Sequence, residues 1–353
     1  MSQQQPEILF ERRGVAGIVT LDRPHALNAV THSMVRTLAQ RLREWENDPA
    51  VDRVILTASS GRAFSAGGDL QALYDFGRAG RYDEELEFFW DEYRLNAQIK
   101  RFRKPYVALL DGIVMGGGVG ISVHGSHRVA GDKFRFAMPE VGIGFFPDVG
   151  GTWFLPRMPG ELGTYCALTG ERLDPADAVS AGIATHRVPS SRFSDLTAAL
   201  CTAVPVDAVL GAFAEPAGGG PVVASRNAID RLFAPDRVEG IVSLLRREAA
   251  DKGPDAAFAF AAAETIAKKS PLSLKIALAQ MRRGRHLDFA ECMRTELRIV
   301  SRIIRGHDFY EGIRAVIVDK DQSPRWQPPS LELVTAADIE PHFAPLAREL
   351  DVA

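Results

Sequence analysis

Strand and helix signals alternate along the first two hundred residues, and this alternation constrains the fold more than any other feature. Apolar stretches with strand character occur at residues 15–24, 52–59, 105–115 and 127–140. Residues 31–49 carry apolar side chains at helical spacing and end at a proline, and a long amphipathic helix is expected over 82–102. Strands that alternate with helices are typical of the α/β class. We therefore predict an α/β core that extends to about residue 200.

The chain becomes helical after about Arg157. Residues 203–223 are rich in Pro, Gly and Ala and form the best candidate for a linker. Apolar stripes with helical spacing follow at 237–250, 255–269, 272–283 and 287–305. We predict a catalytic core over residues 1–200, a linker over 201–224 and a helical C-terminal region over 225–353.

Composition and charge exclude several classes of protein. The 353 residues carry 42 basic and 45 acidic side chains, a formal net charge of -3, which argues against a nucleic-acid-binding protein. Cys166, Cys201 and Cys292 are far apart and lack metal-ligand spacing, which favours a reducing compartment. The first residues show neither a basic start nor a long apolar stretch, so we expect no secretory signal, and glycines and Asp111 interrupt the most apolar window. We predict a cytoplasmic protein with no membrane span.

Several common catalytic motifs are absent or incomplete. No Gly-Lys dipeptide occurs, which excludes a P-loop, and the glycines at 116–118 do not complete the GxGxxG pattern of dinucleotide sites. The stretch "GISVH" resembles a serine nucleophile elbow, but Ser122 lies within a predicted helix and the last glycine is replaced by His124. His124 and His127 have no acidic or cysteine neighbour at ligand spacing. We expect no metal site and no redox cofactor.

Two glycine-rich turns join a strand to the start of a helix. One is "FSAGGDL" at 64–70, and the other contains three consecutive glycines at 116–118. Such turns leave backbone N–H groups free, and two facing turns could donate to one oxygen as an oxyanion hole. Alternatively, the glycines only allow a helix to pack closely on a sheet. The glycines alone leave both interpretations open.

Two acidic residues lie in the loop "FAMPEVGIGFFPDVGG" at 136–151. Glu140 and Asp148 are surrounded there by Gly, Pro and Phe, an environment that raises the pKa of a carboxyl group. Carboxylates in such places can serve as a base or a nucleophile. Each also has a local structural alternative, since Glu140 could cap the following turn and Asp148 could fix a Pro-Asp turn.

Taken together, "LDRPHALNAVT", "FSAGGDL", "GIVMGGGVGISVHG" and "MPEVGIGFFPDVGGTWFLPR" resemble the crotonase (enoyl-CoA hydratase/isomerase) superfamily in order and spacing. The resemblance covers most of residues 8–200. It implies a spiral of ββα units with a helical C-terminal region, and an acyl-CoA thioester held by the N–H groups of Gly68 and Gly117. It also implies that six residues contact coenzyme A: His25, Ala26, Leu27, Ala66, Asp69 and Leu70.

One departure from the hydratase pattern indicates which branch of the family this chain resembles. Hydratases of this family carry a catalytic glutamate where this chain has Gly120, although the second glutamate is present as Glu140. Asp148 stands where hydratases generally have a small residue. This pattern resembles the 3-hydroxyisobutyryl-CoA hydrolase branch, as do "FFWDEYRLN", which contains Glu92, and the segment at 305–328. For that last segment we expect a structural role as a helix and tail.

The resemblance implies hydrolysis of a short, branched 3-hydroxyacyl-CoA thioester, namely 3-hydroxyisobutyryl-CoA, in valine catabolism. Glu140 would act as nucleophile or general base, Asp148 would orient the substrate hydroxyl or assist proton transfer, and Glu92 would bind nearby. Two alternatives stay open: an enoyl-CoA hydratase or isomerase, and a catalytically silent acyl-CoA-binding protein. Coenzyme A would be part of the substrate, no other cofactor is implied, and a homo-oligomer is possible.

Overall fold

The computed structural model describes residues 6–59 and 62–352. The first five residues of the predicted core, Ser60 and Gly61 ahead of the glycine-rich turn at 64–70, and Ala353 lie outside the described residues. The chain divides into two compact units, each built from three segments. Unit 1 comprises Met1–Gly68, Arg94–Phe136 and Leu173–Gly220, and unit 2 comprises Asp69–Tyr93, Ala137–Arg172 and Pro221–Ala353.

The strands form two sheets. The strands of the described residues are β1 (Ile8–Arg13), β2 (Ala16–Leu21), β3 (Arg53–Ala58), β4 (Ala63–Ser65), β5 (Tyr106–Leu110), β6 (Ile113–Met115), β7 (His127–Ala130), β8 (Arg135–Ala137) and β9 (His186–Arg187). The larger sheet has the order β1-β2-β3-β5-β7-β9, and the smaller has the order β4-β6-β8. In the larger sheet β1 is antiparallel to β2, and each later neighbour is parallel to the one before.

Strands of the two sheets alternate along the chain. β3, β5 and β7 of the larger sheet are followed by β4, β6 and β8 of the smaller sheet, and each pair precedes a helical turn. Each successive repeat therefore adds one strand to the larger sheet and one strand to the smaller sheet. This is the predicted spiral of ββα units. Strands β2, β3 and β5 of the larger sheet are almost wholly buried, as expected for strands covered on both faces.

Helices dominate the rest of the chain. They are α1 (His32–Asn47), α2 (Leu70–Arg78), α3 (Tyr82–Lys100), α4 (Gly117–Gly120), α5 (Gly151–Phe154), α6 (Leu162–Thr169), α7 (Pro175–Ser180), α8 (Phe193–Leu200), α9 (Val206–Phe213), α10 (Pro221–Ala224), α11 (Arg226–Leu232), α12 (Val238–Ala250), α13 (Ala256–Ile266), α14 (Pro271–Gly284), α15 (Phe289–Ile303), α16 (Asp308–Ile313) and α17 (Ala336–Ile339). Short 3-10 turns include Pro24–Ala26 and Glu140–Ile143, and a π-helical turn covers Arg314–Val318.

Local sequence signals explain where these helices begin. The Thr31 side chain accepts a hydrogen bond from the Met34 N–H at the start of α1, and the helix ends before Pro49. Ser270 caps α14 in the same way, with Pro271 in the first turn. The helices predicted over 237–250, 255–269, 272–283 and 287–305 are present as α12 to α15. No helix among the described residues is long and apolar enough to cross a membrane.

The segment predicted as a linker contains regular structure. Val206, Val209 and Leu210 of α9 are buried in the same cluster as Ile18 and Ile55 of the larger sheet. The Pro, Gly and Ala content suggested a linker, but Val and Ala between Pro205 and Ala214 form an amphipathic helix that covers apolar surface of unit 1.

Candidate active site

Two of the three consecutive glycines have clear structural reasons. Gly116 precedes α4 with φ of 46° and ψ of −125°, a conformation that residues with a side chain rarely adopt. A Cβ atom at Gly118 would lie 2.6 Å from Cβ and 2.7 Å from the backbone oxygen of Ser65. Close packing therefore explains Gly118. Gly117 lies between them, at the buried N-terminus of α4.

The glycine-rich turn at 64–70, the first along the chain, lies against the turn that contains the three consecutive glycines. A Cβ atom at Gly67 would be 3.8 Å from the Met115 carbonyl oxygen and 3.9 Å from Cα of Gly116. Within residues 6–59 and 62–352, neither the Gly68 N–H nor the Gly117 N–H donates to a protein acceptor. Unit 1 thus brings together the two turns that the sequence singled out. They can offer backbone donors to an anionic oxygen.

The segment predicted to bind coenzyme A adjoins the first of these turns. After the 3-10 turn of His25 and Ala26, Leu27 has a φ of 51°, and its carbonyl accepts from the Ala66 N–H at 3.0 Å. The Asn28 side chain donates to the Ala63 carbonyl at 3.0 Å. These bonds fix Leu27 and Ala66 next to each other in unit 1.

The other two predicted coenzyme A contacts lie in unit 2. Asp69 is the N-cap of α2, and its carboxylate accepts from the Ala72 N–H at 3.3 Å. Leu70 is the first residue of that helix. Asp69 therefore has a local structural role, and coenzyme A contacts remain a prediction for both residues.

Asp148 is a buried carboxyl group with one side-chain donor. Only 4% of Asp148 is exposed, and the Tyr93 hydroxyl donates to its Oδ2 atom at 3.0 Å. Burial raises the pKa of Asp148 to about 7, although the Tyr93 hydrogen bond acts in the opposite direction. A carboxyl group with such a pKa can give or take a proton near neutral pH.

Glu140 opens the 3-10 turn that follows β8, and its side chain is buried. Burial raises the pKa of Glu140 well above its usual value, the charge of Asp148 adds to this, and Lys269 acts against it. The Oε2 atom of Glu140 has no hydrogen-bond partner among the described residues. A buried acceptor without a partner is costly, so a ligand or water that donates to it would be favoured.

Glu92 is a further buried acid of unit 2. It precedes Tyr93 on α3 and is 2% exposed, and its Oε1 atom also lacks a partner among the described residues. Burial raises its pKa well above the usual value, and the charges of Asp148 and Glu296 raise it further. Unit 2 therefore brings the predicted Glu92 and Asp148 into one electrostatic cluster.

Four aromatic rings pack against one another in unit 2, the unit that holds these acids. The Phe145 ring centroid lies 5.6 Å from that of Phe89, 4.7 Å from that of Phe146 and 4.9 Å from that of Phe309. All four rings are buried. The predicted rise in carboxyl pKa is confirmed in direction for both Glu140 and Asp148.

The C-terminal segment at 305–328 supports the loop that follows Glu140. A Cβ atom at Gly144, where φ is 71°, would lie 2.1 Å from the Asp308 carbonyl oxygen. The Asp308 carboxylate accepts from Ser270 Oγ at 2.6 Å and from the Gln327 N–H at 2.8 Å. These contacts agree with the structural role expected for the segment.

Comparison with known proteins identifies the family. The sequence profile of the family described as enoyl-CoA hydratase/isomerase matches residues 16–343. The chain belongs to the enoyl-CoA hydratase/isomerase family. It is 44% identical over 355 residues to the Danio rerio protein named "3-hydroxyisobutyryl-CoA hydrolase, mitochondrial", covering 98% of this chain and 91% of that protein. The Homo sapiens protein of the same name is 41% identical, with 96% and 89% covered.

Solved structures of the enoyl-CoA hydratase/isomerase family confirm the crotonase fold. A structure titled as a carnitinyl-CoA dehydratase from Mycobacterium thermoresistibile is 44% identical, with a TM-score of 0.93 and 99% of each chain covered. A structure titled as an enoyl-CoA hydratase from Rhodobacter sphaeroides 2.4.1 is 39% identical, with a TM-score of 0.91, and covers 98% of this chain and 100% of that one.

Sequence reasoning missed the buried acid Glu296. Glu296 on α15 is 0% exposed, and its carboxylate accepts from the Gly150 N–H at 2.8 Å and the Thr152 N–H at 2.9 Å. Burial raises the pKa of Glu296 to about 8. A signal was present, because Glu296 lies four residues from the buried Cys292 and Val300, within the apolar stripe of α15. An acid at such a position is unusual.

Ser122, considered as a nucleophile, and His127, considered as a metal ligand, both have hydrogen-bond partners within the protein. Ser122 is buried and donates to the Gly118 carbonyl at 2.7 Å. The prediction that it lies within a helix is wrong, because α4 ends at Gly120 and Ser122 lies in the turn that follows. His127 Nε2 lies 3.0 Å from Oδ1 of Asp207. Among the described residues, no three His, Cys, Asp or Glu side chains are arranged to hold a metal ion.

Proposed function

We propose that this chain hydrolyses 3-hydroxyisobutyryl-CoA to 3-hydroxyisobutyrate and coenzyme A, as a step of valine breakdown. One observation carries the proposal: unit 2 buries Glu140 and Asp148 with raised pKa values, while Gly120 leaves no side chain for a second catalytic glutamate. The identity of 41–44% to proteins named as 3-hydroxyisobutyryl-CoA hydrolases, over nearly the whole chain, supports it.

The N–H groups of Gly68 and Gly117 are assigned to the thioester carbonyl oxygen. Attack on the carbonyl carbon places negative charge on that oxygen, and fixed backbone donors stabilise this charge without having to reorganise. The adjoining turns of unit 1, with both N–H groups uncommitted to protein acceptors within the described residues, support this assignment.

Glu140 is assigned to the bond-making step, with two routes open. In one, its carboxylate attacks the carbonyl carbon, the coenzyme A thiolate leaves, and water hydrolyses the resulting anhydride. In the other, Glu140 takes a proton from a water molecule that attacks the carbonyl carbon, and this proton passes to the departing thiolate. The unpartnered Oε2 atom of Glu140 supports both routes, because it leaves one acceptor for the substrate or water.

Asp148 is assigned to the substrate hydroxyl or to proton transfer, and Glu92 to substrate binding. Tyr93 orients the Asp148 carboxyl through the hydrogen bond to Oδ2. Burial raises the pKa values of both acids. Since that of Asp148 is raised to about 7, the Asp148 carboxyl can be protonated near neutral pH and donate a hydrogen bond to the substrate. Coenzyme A itself is assigned to His25, Ala26, Leu27, Ala66, Asp69 and Leu70.

The main alternative is hydration or isomerisation of an enoyl-CoA. The titles of the two solved structures favour it, since they describe a dehydratase and a hydratase. Gly120 argues against it, because concerted hydration by two glutamates requires a carboxylate where this chain has none. The second alternative, a silent acyl-CoA-binding protein, does not explain why unit 2 buries several acids.

A panel of thioesters distinguishes these functions. Purified protein is mixed with 3-hydroxyisobutyryl-CoA, 3-hydroxypropionyl-CoA, acetyl-CoA and crotonyl-CoA, with thiol release and enoyl absorbance recorded in parallel. We expect thiol release to be fastest with 3-hydroxyisobutyryl-CoA and crotonyl-CoA to be hydrated poorly or not at all. Rapid loss of the enoyl absorbance without thiol release would establish the hydratase alternative. Tight binding without turnover of any thioester would establish the silent binder.

Isotope labelling separates the two routes for Glu140. A single turnover in ¹⁸O-labelled water, followed by mass spectrometry of the digested enzyme, reports whether the label enters the Glu140 carboxyl. Incorporation identifies the anhydride route, because water can attack the enzyme-derived carbonyl of the anhydride. Label found only in the released acid is expected for general base catalysis and also for an anhydride that water opens at its substrate-derived carbonyl. The same turnover with hydroxylamine present separates these two, because only an anhydride can yield a hydroxamate on Glu140. Peptides containing Glu92 and Glu171 provide internal controls.

Compartment and assembly complete the proposal. We place the protein in the cytoplasm, where reducing conditions suit three buried cysteines without disulfides, whereas the curated relatives are named mitochondrial. Cell fractionation tests the compartment, and recovery with mitochondria would overturn it. A homo-oligomer also remains a prediction, to be tested by light scattering of the purified protein.

A further inference from the structure

We propose that Glu296 is a positioning residue that holds Asp148 in place by bracing the turn at residues 147–152. This inference rests on the proposed function, in which Asp148 acts on the substrate. It assigns a role in the reaction to α15, which sequence reasoning considered only as a structural helix. Three features of unit 2 support this role: a strained turn, two braces that hold it, and a buried acid that packing alone does not require.

The backbone beside Asp148 has an unfavourable conformation. Val149 has a φ of 50°, followed by Gly150 with a φ of 90°. A β-branched residue is rarely found in the left-handed region, because its side chain collides with the neighbouring backbone. Such a conformation persists only when the surrounding structure enforces it. Something must therefore hold the turn in the shape that points the Asp148 carboxyl toward Tyr93.

Glu296 supplies the first brace. Its Oε2 atom accepts from the Gly150 N–H at 2.8 Å, and its Oε1 atom accepts from the Thr152 N–H at 2.9 Å. Both donors lie within four residues of Asp148. A carboxylate that accepts one hydrogen bond on each oxygen fixes direction as well as distance. The two bonds therefore hold the turn to α15.

Gln280 supplies the second brace. Its Nε2 group donates to the Pro147 carbonyl at 2.6 Å and to Thr152 Oγ1 at 2.7 Å. Asp148 thus lies in a turn that α14 and α15 hold at both ends. Tyr93 then binds the carboxyl group itself, at 3.0 Å.

Packing alone does not account for an acid at position 296. The side chain is fully buried on a helix face otherwise occupied by Cys292, Val300 and Ile303. Burying a carboxyl group is costly unless its oxygens are satisfied. In its ionised form Glu offers one acceptor oxygen to each of the two backbone N–H groups, which Gln or Leu does not. The hydrogen bonds to the turn therefore explain why residue 296 is an acid, whereas packing of the helix does not.

The amide variant tests this role. Glu296→Gln keeps the size of the side chain but presents an NH₂ group to one of the two N–H donors. We expect kcat for 3-hydroxyisobutyryl-CoA to fall by about 10²-fold, the effect of a misplacement of about 1 Å in a reacting group. KM should stay near the wild-type value, because the residues assigned to coenzyme A are untouched.

Two control variants on α15 separate positioning from general stability. Glu291→Gln removes an acid from the same helix but from a partly exposed site paired with Arg298, and should keep wild-type activity. Ile299→Val removes one buried methylene, which lowers the thermal midpoint, and it leaves both carboxylate oxygens of Glu296 in the chain. If Glu296→Gln loses stability but keeps kcat, or if Ile299→Val loses kcat to the same extent, the positioning role is wrong.

A measurement without substrate keeps this inference distinct from the proposed function. Hydrogen exchange of the Gly150 and Thr152 amides, and the ¹³C shift of the Asp148 carboxyl, report the turn directly. In Glu296→Gln we expect faster exchange at both amides and a changed carboxyl shift. If wild-type protein hydrolyses no thioester, the proposed function fails, but these changes would still support the brace. Unchanged exchange and an unchanged shift would overturn the brace whatever the enzyme catalyses.

Discussion

The Tyr93 hydroxyl donates a hydrogen bond to Oδ2 of Asp148 at 3.0 Å, and both side chains are buried in unit 2. A donor of this kind stabilises the ionised form of the carboxyl group. It therefore limits the rise in the Asp148 pKa that burial causes, and the result is a value of about 7. Tyr93 thus limits the pKa of Asp148 as well as orienting its carboxyl group.

Replacing Tyr93 with Phe should move the pH dependence of the reaction. Without the hydroxyl donor, the pKa of Asp148 rises further above its ordinary value of 3.8. We expect the apparent pKa assigned to Asp148 in the profile of kcat/KM against pH to shift upward. Tyr165→Phe, which alters another buried tyrosine of unit 2, should leave the profile unchanged. A downward shift in Tyr93→Phe would contradict the donor role.

The buried acids should make the protein less stable as the pH rises. The folded state raises the pKa of Asp148 from 3.8 to about 7, so it binds a proton more tightly than the unfolded chain does. Its stabilising contribution is present at low pH and is lost as the pH rises between these values, by roughly 4 kcal/mol. Glu296, Glu140 and Glu92 act in the same direction.

Urea unfolding at about pH 5 and about pH 8 tests this linkage. The midpoint of the wild-type protein should fall with rising pH, and Asp148→Asn should reduce that fall because the amide does not ionise. Asp251→Asn, at an exposed site, should behave like the wild type. Equal falls in wild type and Asp148→Asn would mean that Asp148 does not carry the effect.

Glu140→Gln tests the proposed bond-making residue. The amide keeps the shape of the side chain but can neither attack the thioester nor accept a proton from water. We expect turnover to fall at least about 10²-fold, while calorimetry shows that substrate still binds. The exposed Glu264→Gln provides a matched control. Near-normal turnover in Glu140→Gln would move the chemistry elsewhere, with Asp148 the first candidate.

The three consecutive glycines should respond differently to substitution. Gly117→Val places a branched side chain beside the proposed N–H donor, and losing such a donor typically lowers turnover by about 10²–10³-fold. Gly118→Ala brings a Cβ atom within 2.7 Å of the Ser65 backbone oxygen, so it should mainly lower stability, by about 1–3 kcal/mol. Thermal midpoint and turnover are measured on the same samples. A marginally folded but fully active Gly117→Val would rule out the oxyanion role.

The parts of this fold that follow from the sequence are those where local pattern and tertiary packing agree. The apolar spacing of Met34, Leu38 and Leu42 gives both the helix and its buried face. The helix of residues 206–213 was missed because its composition resembles a linker, and only its contact with the larger sheet shows that its apolar side is buried.

Some residues of the candidate site could likewise be predicted from the sequence, and others could not. Glu140 and Asp148 stand out because glycine, proline and phenylalanine around them form a distinctive loop. Glu296 lies about 150 residues away in an otherwise regular helix, and its role depends on two backbone N–H groups that no sequence pattern reveals. Partnerships between a side chain and a remote backbone are set by the fold and cannot be predicted from local sequence.

Unit 2 is assembled from three separate stretches of the chain, and this has a consequence for protein synthesis. Glu92, Asp148 and Glu296 come from one stretch each. During translation the ribosome releases these stretches at widely separated times, so the nascent chain carries Glu92 and Asp148 long before α15 exists. The turn around Asp148 acquires its brace only when synthesis is nearly complete. Polypeptides released early by a premature stop codon before residue 296 would therefore lack activity, however well their sheets had folded.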